Sequence, residues 1–527
     1  MQRSLLSMKK AFDKRTYSRL YPSSSRPGLF FGLAKVHKVP QGVKDVEVLP
    51  LRPVISNIGT ATYETSKYLA ELLQPLSKSQ YTVESTKDFI EKIRSINIPE
   101  QYKMVSFDVE GLFTNVPLEF TINVILDKIY SKKLIKTKLR REQMEELLWL
   151  CTTGLHFTFN DEVYRQTDGV AMGSPLGPVL ANVFMVELEE QLVPTMKQDM
   201  PLWFRYVDDT FTYIKESQID KVKEKLNAFH PSIKFTCEKE EKRAIPFLDV
   251  LVQRSDIGVT TDIYRKKTDT NIYINWNSFS PQVWKIGTLK GLLKRAYTIC
   301  SDDNKIKNEI DHLRKVFIRI NQYPKKVVES VIKNVKETSN GTPITTGNGN
   351  ETSATSNHAD TEAVRANQTK PCMVLPYAGK QGESIISDFK KSLTKYLPTE
   401  VKPMISYTGK KLGSFFRVKD KVKEGHQTNL IYHYDSSGDV NCKDKSKYVG
   451  ETNVRYETRT SEHINTNTAV KTHAIGCGHE VNPANFEILS TGYTDWKRRK
   501  LAEALYIRDM KPNLNKQVMS HKLYLFN

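Results

Sequence analysis

The stretch Phe204-Arg205-Tyr206-Val207-Asp208-Asp209-Thr210-Phe211 sets two adjacent carboxylates between apolar, β-prone runs. Such a pattern predicts a β-hairpin whose tight turn holds Asp208 and Asp209. Side chains alternate across a strand, so neighbouring aspartates cannot both face a core. At a turn both can project into a cleft. Two unneutralised carboxylates there repel each other, and divalent cations relieve the repulsion. Alone, the motif reads as a solvated Asp-Asp turn; its neighbours along the chain reverse that reading.

Upstream, Lys103-Met104-Val105-Ser106-Phe107-Asp108-Val109 has a buried-strand pattern that reaches a carboxylate near its end. Asp108 there suits a helix cap, but with Asp208 and Asp209 it makes a third acidic oxygen donor. Three such donors suit two Mg2+ ions in an in-line phosphoryl displacement. Between them, Asp168-Gly169-Val170-Ala171-Met172-Gly173-Ser174-Pro175-Leu176-Gly177-Pro178 carries too many glycines and prolines for a regular element. It reads as a plain loop before the apolar helix through Glu190, or as a place where backbone approaches a nucleotide or template base. Farther out, Phe30 to Lys38 and Leu51-Arg52-Pro53-Val54-Ile55-Ser56 predict short strands displaying basic residues, which can grip phosphates. Residues 62–97 and 118–153 predict helices, and Phe235–Glu238 and Ile245–Val250 further strands.

A chain of 527 residues allows two to four domains, and a net charge of +19 suits a polyanion such as nucleic acid. Six scattered cysteines form no C-x-x-C pair, which points to a reducing compartment. No apolar stretch reaches the roughly 18 residues of a membrane span, and the N-terminal residues lack a signal peptide's apolar core. Residues 262–335 interleave basic and aromatic side chains, among them Tyr264-Arg265-Lys266-Lys267, Tyr273, Trp276, Trp284-Lys285 and Lys294-Arg295, as nucleic-acid surfaces do. Ser, Thr, Asn and Gly dominate residues 337–370, a flexible linker. Beyond a basic α/β connector, Leu430–Tyr434 and Ser446–Gly450 predict paired strands. Arg455, Arg459 and His463 follow at helical spacing on one face. Asp495 predicts the cap of a last helix on which Leu501 and Leu505 pack while Glu503 points elsewhere.

These residues together resemble the Penelope-like retroelement proteins, in which a reverse transcriptase is joined to a GIY-YIG endonuclease. The resemblance runs from about residue 28 to 516. It is carried by Gly32 to Lys38, Leu51 to Ser56, Phe107 to Pro117, Asp168 to Pro178, Tyr206-Val207-Asp208-Asp209 and Phe247-Leu248-Asp249-Val250, and in the second half by Leu430-Ile431-Tyr432 and Tyr448-Val449-Gly450. It implies an α/β (α+β) right-hand polymerase linked to a small α/β nuclease. The segments would be a basic N-terminal stretch (1–27), fingers and palm (28–255), thumb (256–336), linker (337–370), connector (371–427), nuclease (428–516) and tail (517–527). In the polymerase, Asp108, Asp208 and Asp209 would hold two Mg2+ ions. Arg52, Val109, Phe113, Met172 and Gly173 would meet the nucleotide, with Phe113 excluding a 2′-hydroxyl and Met172 standing where many reverse transcriptases have Gln. In the nuclease, Tyr432 would be the general base with Tyr448 beside it. Arg459 and His463 would hold the scissile phosphate, and Glu503 a single metal ion. Gly450 and Asn515 would support the site, with Leu430 replacing the family's first glycine. A tyrosine needs nearby cations to become a base, an effect expected of Arg459 and His463. The resemblance also suggests Zn2+ on Cys442, His473, Cys477 and His479.

The expected function is RNA-directed DNA synthesis from a nick made by the same protein, with an RNA template, a DNA target and primer, and dNTPs as partners and no membrane. Two alternatives stay open: a relic that only binds nucleic acid, and a protein in which only the endonuclease works. A DNA substrate implies residence in the nucleus, with time in the cytoplasm.

Overall fold

The computed structural model of the protein describes residues 1–35, 50–255, 258–340, 372–397, 401, 404–409, 419–438, 442, 444–493 and 495–515. The basic run from Val36 to Lys38, most of the linker and the tail at 517–527 lie outside the described residues. The strands are β1 (Gly28–Ala34), β2 (Leu51–Ser56), β3 (Tyr102–Val109), β4 (His156–Phe159), β5 (Glu162–Arg165), β6 (Leu202–Tyr206), β7 (Asp209–Lys215), β8 (Phe235–Lys239), β9 (Ala244–Phe247), β10 (Val250–Ser255), β11 (Gly258–Ile263), β12 (Cys372–Pro376), β13 (Met404–Thr408), β14 (Leu430–Asp435), β15 (Lys447–Thr452) and β16 (Phe486–Ser490). The chain forms two compact units that interleave in sequence. One comprises Met1–Ser79, Gly111–Glu190 and Val418–Asn527, the other Gln80–Glu110 and Gln191–Arg417.

In the second unit the palm is an antiparallel sheet in the order β6-β7-β3-β8. Met104, Val105, Phe107 and Val109 are buried along β3, as a central strand requires. The helix Thr86–Ile93, capped by the Ser85 hydroxyl, lays Phe89, Ile90 and Ile93 onto the sheet. Phe89 meets Phe247, Phe211 and Phe204 at ring-centre distances of 4.6, 5.4 and 6.1 Å. Each such buried side chain stabilises the fold by roughly 1.5–3 kcal/mol. A second sheet, β11-β10-β9, continues this core.

The residues read as thumb form the helices Gln282–Ile299, Asp303–Lys315 and Lys325–Asn340, packed through Leu289, Leu293, Leu313, Phe317 and Val328. Several residues read as nucleic-acid contacts are instead internal. Tyr273 stacks on Phe317 at 5.3 Å and Trp276 packs in the same core. The buried Lys285 ammonium donates to the carbonyls of Trp276 and Ser278 at 2.7 and 2.8 Å, and Arg265 is paired with Glu309. Lys266, Lys267 and Lys294 are exposed. The last thumb helix continues through Asn340, into the stretch read as linker. β12 and β13 pair in parallel around the helix Gly379–Tyr396, the expected α/β connector.

In the first unit the fingers sheet runs β2-β1-β4-β5. β1 and β2 pair antiparallel from Leu29–Ser56 to Ala34–Leu51. The β4–β5 hairpin was not expected. Its turn is Asn160-Asp161, both left-handed at φ +50° and +64°, as a two-residue hairpin turn demands. The basic N-terminal stretch forms the short helices Gln2–Ser7 and Lys14–Leu20.

The C-terminal part of this unit is the sheet β15-β14-β16. Alternation along β14 sends Leu430, Tyr432 and Tyr434 toward the helices Tyr456–Asn465 and Ala469–Cys477, while Ile431 packs with Val449 and Ile507 of the helix Trp496–Met510. Asp495 caps that last helix as expected. Its packed face is Arg499, Glu503, Ala504 and Ile507, however, and Leu501 is exposed. Ion pairing overrides hydropathy here, because Arg499 and Lys500 both reach Glu451 on β15.

Candidate active sites

The palm brings the three acids together. β6 and β7 form the expected hairpin, but its turn is Val207-Asp208, one residue earlier than expected, and Asp209 opens β7 opposite Tyr206. Val207 sits at φ +58°, a left-handed conformation that costs a β-branched residue of order 1–3 kcal/mol. β3 pairs with β7 from Tyr102–Lys215 to Val105–Thr212, and the same register carried on sets Asp108 opposite Asp209. At Phe107 the fully buried Thr210 hydroxyl continues the ladder. It accepts the Phe107 N–H and donates to the Phe107 carbonyl, each at 3.0 Å. Burial, with the charges of Asp208 and Asp108 beside it, pushes the Asp209 carboxyl up to about 6, against the pull of Lys266. Clustered carboxylates with this mutual repulsion fit a divalent cation. Val109 turns its side chain into the core.

In the fingers, β2 is bonded to the glycine-rich loop, since the Ile55 N–H donates to the Met172 carbonyl at 2.8 Å. Gly173 sits at φ +114°, and a Cβ there would lie 2.4 Å from the Ile55 carbonyl oxygen, so only glycine fits. The Val170 N–H donates to the Phe113 carbonyl at 2.7 Å. Phe113, Met172 and Gly173 are thus joined through backbone to β2, on which Arg52 is exposed.

In the C-terminal part, Tyr432 is the centre of a buried constellation. Its hydroxyl accepts the Arg459 Nε–H at 2.9 Å and bonds His463 Nε2 at 2.9 Å; His463 Nδ1 bonds the Thr468 hydroxyl at 3.0 Å. Tyr448 packs its ring 5.3 Å from His463. Gly450 pairs with Tyr432 across the sheet, and a Cβ there would lie 2.6 Å from the Tyr432 hydroxyl. Burial, with Tyr448 pushing the same way, raises the Tyr432 pKa, and Arg459 only partly opposes this. The expected depression of this tyrosine does not occur. Burial, then Arg459, pushes His463 down to about 4, so His463 is neutral and supplies no cation. Arg459 is held above its ordinary value: burial works against its charge, but Tyr432 and Glu462 outweigh it. Arg455, expected on the same helix face, is instead the residue before the helix and pairs with Glu457.

β15 is an edge strand, and its outward N–H groups are capped in turn. Lys447 donates to Asn513, Val449 to Asn515 and Glu451 to Glu503, at 2.8, 2.9 and 3.1 Å. Asn515 also donates to the Val449 carbonyl at 2.8 Å. The second Glu503 oxygen lies 3.3 Å from the Lys500 ammonium.

Cys442, His473, Cys477 and His479 converge, with one ligand atom from each lying within 4.8 Å of all the others. His473 Nε2 lies 3.3 Å from Cys442 Sγ and 3.9 Å from Cys477 Sγ. Tetrahedral zinc with thiolate and imidazole ligands sets its donors about 3.3–3.8 Å apart. The Cys442 thiol is lowered: burial works against this, but bonds from Ser436, His479 and Cys477 prevail.

Residues 50–241 match the family model for reverse transcriptase (RNA-dependent DNA polymerase), a span that includes Arg52, Asp108, Phe113, Met172, Gly173, Asp208 and Asp209. The chain carries a reverse transcriptase domain. Downstream of this domain, residues 272–333 match the animal helix-turn-helix domain, which falls on the thumb helices. Among solved structures, Candida albicans telomerase with a fragment of telomeric RNA is similar at 12% identity, covering 59% of this chain and 62% of that one with a TM-score of 0.41. A human picobirnavirus RNA-dependent RNA polymerase is similar at 12% identity, 60% and 63% coverage and a TM-score of 0.39. The chain thus spans about three fifths of that telomerase. No curated protein matches. No helix among the described residues is long and apolar enough to cross a membrane.

Sequence reasoning missed Thr210, whose hydroxyl joins β3 to β7 beside the acids of the reverse transcriptase domain, and Thr468, which holds His463. Thr210 carries no signal in spacing, because it acts through tertiary bonds to Phe107 alone, whereas Thr468 is the N-cap of the helix Ala469–Cys477 and could have been found as a helix start.

Proposed function

We propose that the protein is the polymerase and endonuclease of a Penelope-like retroelement. In this reading it copies an RNA template into DNA from a 3′-hydroxyl that its C-terminal GIY-YIG unit exposes by nicking. The reverse transcriptase domain supports the first half. The observation that carries it is the convergence of Asp108, Asp208 and Asp209 at the open end of β3 and β7, where mutual repulsion favours cation binding. These three residues would hold two Mg2+ ions, which in such sites activate the attacking hydroxyl and neutralise the leaving pyrophosphate. By the same resemblance Arg52 would meet the incoming triphosphate, and Phe113, Met172 and Gly173 its sugar and base. Exposed Lys266, Lys267 and Lys294 suit the template–primer backbone.

The Tyr432–Arg459–His463 constellation under Gly450 supports the second half. Arg459 carries the positive charge for a scissile phosphate. Tyr432, held as a neutral phenol, orients Arg459 and His463; proton removal falls to Tyr448, the half-buried ring beside it. Glu503 would hold a single Mg2+, and Lys500 must then swing away from its second oxygen. Zn2+ on Cys442, His473, Cys477 and His479 would brace the loop between β14 and β15 against the helix Ala469–Cys477. A DNA target implies work in the nucleus.

The test is Mg2+-dependent primer extension on RNA alongside nicking of supercoiled plasmid, with one preparation and with Asp208→Ala and Arg459→Ala. Asp208→Ala is expected to lose extension by orders of magnitude and keep nicking, and Arg459→Ala the reverse. Full extension by Asp208→Ala would discredit the polymerase site.

A further inference from the structure

We propose that Arg205 is a positioning residue for polymerisation: its buried guanidinium holds the Val207 carbonyl and so fixes the peptide that leads into Asp208. The proposal rests on Asp108, Asp208 and Asp209 being the polymerase's metal-holding acids. Arg205 lies on β6 between apolar neighbours, yet its side chain points inward and is fully buried. A charged group tolerates that only when its N–H groups are bonded. One of them, on a terminal guanidinium nitrogen, donates to the Val207 carbonyl oxygen at 3.1 Å.

The base of this arm is itself fixed. The Arg205 N–H donates to the Tyr81 carbonyl at 2.9 Å, and its own carbonyl accepts the Val83 N–H at 2.8 Å. Arg205 also pairs with Thr210 across the hairpin. From this anchor the guanidinium reaches two residues ahead, to the turn. Val207 there holds φ +58° without being glycine. A β-branched residue stays in that conformation only where its surroundings over-determine it. The Val207 carbonyl and the Asp208 N–H belong to one planar peptide, so holding the oxygen sets the plane from which the Asp208 side chain departs. Asp208 otherwise sits at a two-residue turn, the part of a hairpin with the fewest ladder bonds. A planar guanidinium suits the task better than a flexible ammonium, whose donors rotate.

The test is primer extension by the full chain on a primed RNA, titrated with Mg2+ and separately with dNTP, for Arg205→Met, Arg205→Lys and Asp208→Ala. Arg205→Met keeps length and loses the donor, and Arg205→Lys keeps charge and loses the fork. Both are expected to lower kcat, Arg205→Met on the order of 10²-fold, and to raise the Mg2+ concentration for half-maximal rate several-fold. The KM for dNTP should stay near the native value, and Arg205→Lys should be the milder variant. Native Mg2+ dependence and kcat in a folded Arg205→Lys or Arg205→Met overturns the proposal, as does loss of the native melting transition in both, which makes the side chain a fold element. Asp208→Ala separates the two levels. If it extends normally, the acidic site has failed; if it is inactive while the Arg205 variants behave natively, only the Arg205 role has failed.

Discussion

Replacing Gly450 with alanine strikes the C-terminal constellation at its tightest point. The new Cβ would lie 2.6 Å from the Tyr432 hydroxyl, 2.7 Å from its Cζ and 2.8 Å from Tyr448 Cε1. Ordinary contact begins near 3.4 Å, so the phenol must retreat by about 0.8 Å. Tyr432 is fully buried, so it cannot move without disturbing the bonds that hold its hydroxyl. A retreat of that size stretches its 2.9 Å bonds to Arg459 and His463 beyond hydrogen-bond range. Overpacking of this kind costs about 1–3 kcal/mol of stability. Misplacing Arg459 on the same scale should cost nicking on the order of 10²-fold. The assay is plasmid nicking beside primer extension with the same preparation. Extension should be unchanged, since Gly450 lies outside the reverse transcriptase domain. Native nicking by Gly450→Ala would refute the idea that these bonds organise the centre.

Acid should loosen the C-terminal part through His463. Its folded pKa of about 4 lies below the 6.5 of an exposed histidine, so the unfolded chain takes up the proton first. The stability contributed, about 3 kcal/mol, is complete above pH 6.5 and lost as pH falls toward 4. Hydrogen exchange of β14 peptides at pH 7 and 5 should show the loss, and His463→Gln should abolish the difference. Atomic emission on the purified chain should find zinc that Cys442→Ser lacks, and a chelator should lower the melting temperature of the native chain but not of that variant. Thr210→Val should destabilise the palm by about 1–3 kcal/mol, because it strands the buried Phe107 N–H; an unchanged denaturation midpoint would show that the hydroxyl carries no load.

Much of the palm was legible because its signals are local. Alternation along β3, a carboxylate near its end and a hairpin at the Asp208-Asp209 pair are all written in neighbouring residues, though the turn itself falls one residue early, on Val207-Asp208. The β4–β5 hairpin was equally local, in Asn160-Asp161 between apolar runs, and was passed over. Other misreadings had tertiary causes. Trp276 and Lys285 have the composition of a nucleic-acid surface, but a chain reversal wraps its carbonyls around the ammonium. On the last helix Glu503 faces inward and Leu501 outward, because Glu451 on β15 draws Arg499 and Lys500 to the sheet. Arg455 lost its place on the helix face because the helix begins one residue later. The convergence of Cys442 with His473, Cys477 and His479 follows from no standard spacing; the β14–β15 connection, one helix and the residue just past that helix's Gly478 cap supply it.

The capping of β15 has a consequence for the order of synthesis. Asn513 and Asn515 complete a strand that the ribosome made 66 residues earlier. Until they emerge, that strand offers bare donors to any passing extended segment. The C-terminal sheet therefore finishes last, after the reverse transcriptase domain has left the exit tunnel, and a chain broken off before Asn513 would leave a sticky, unfinished margin.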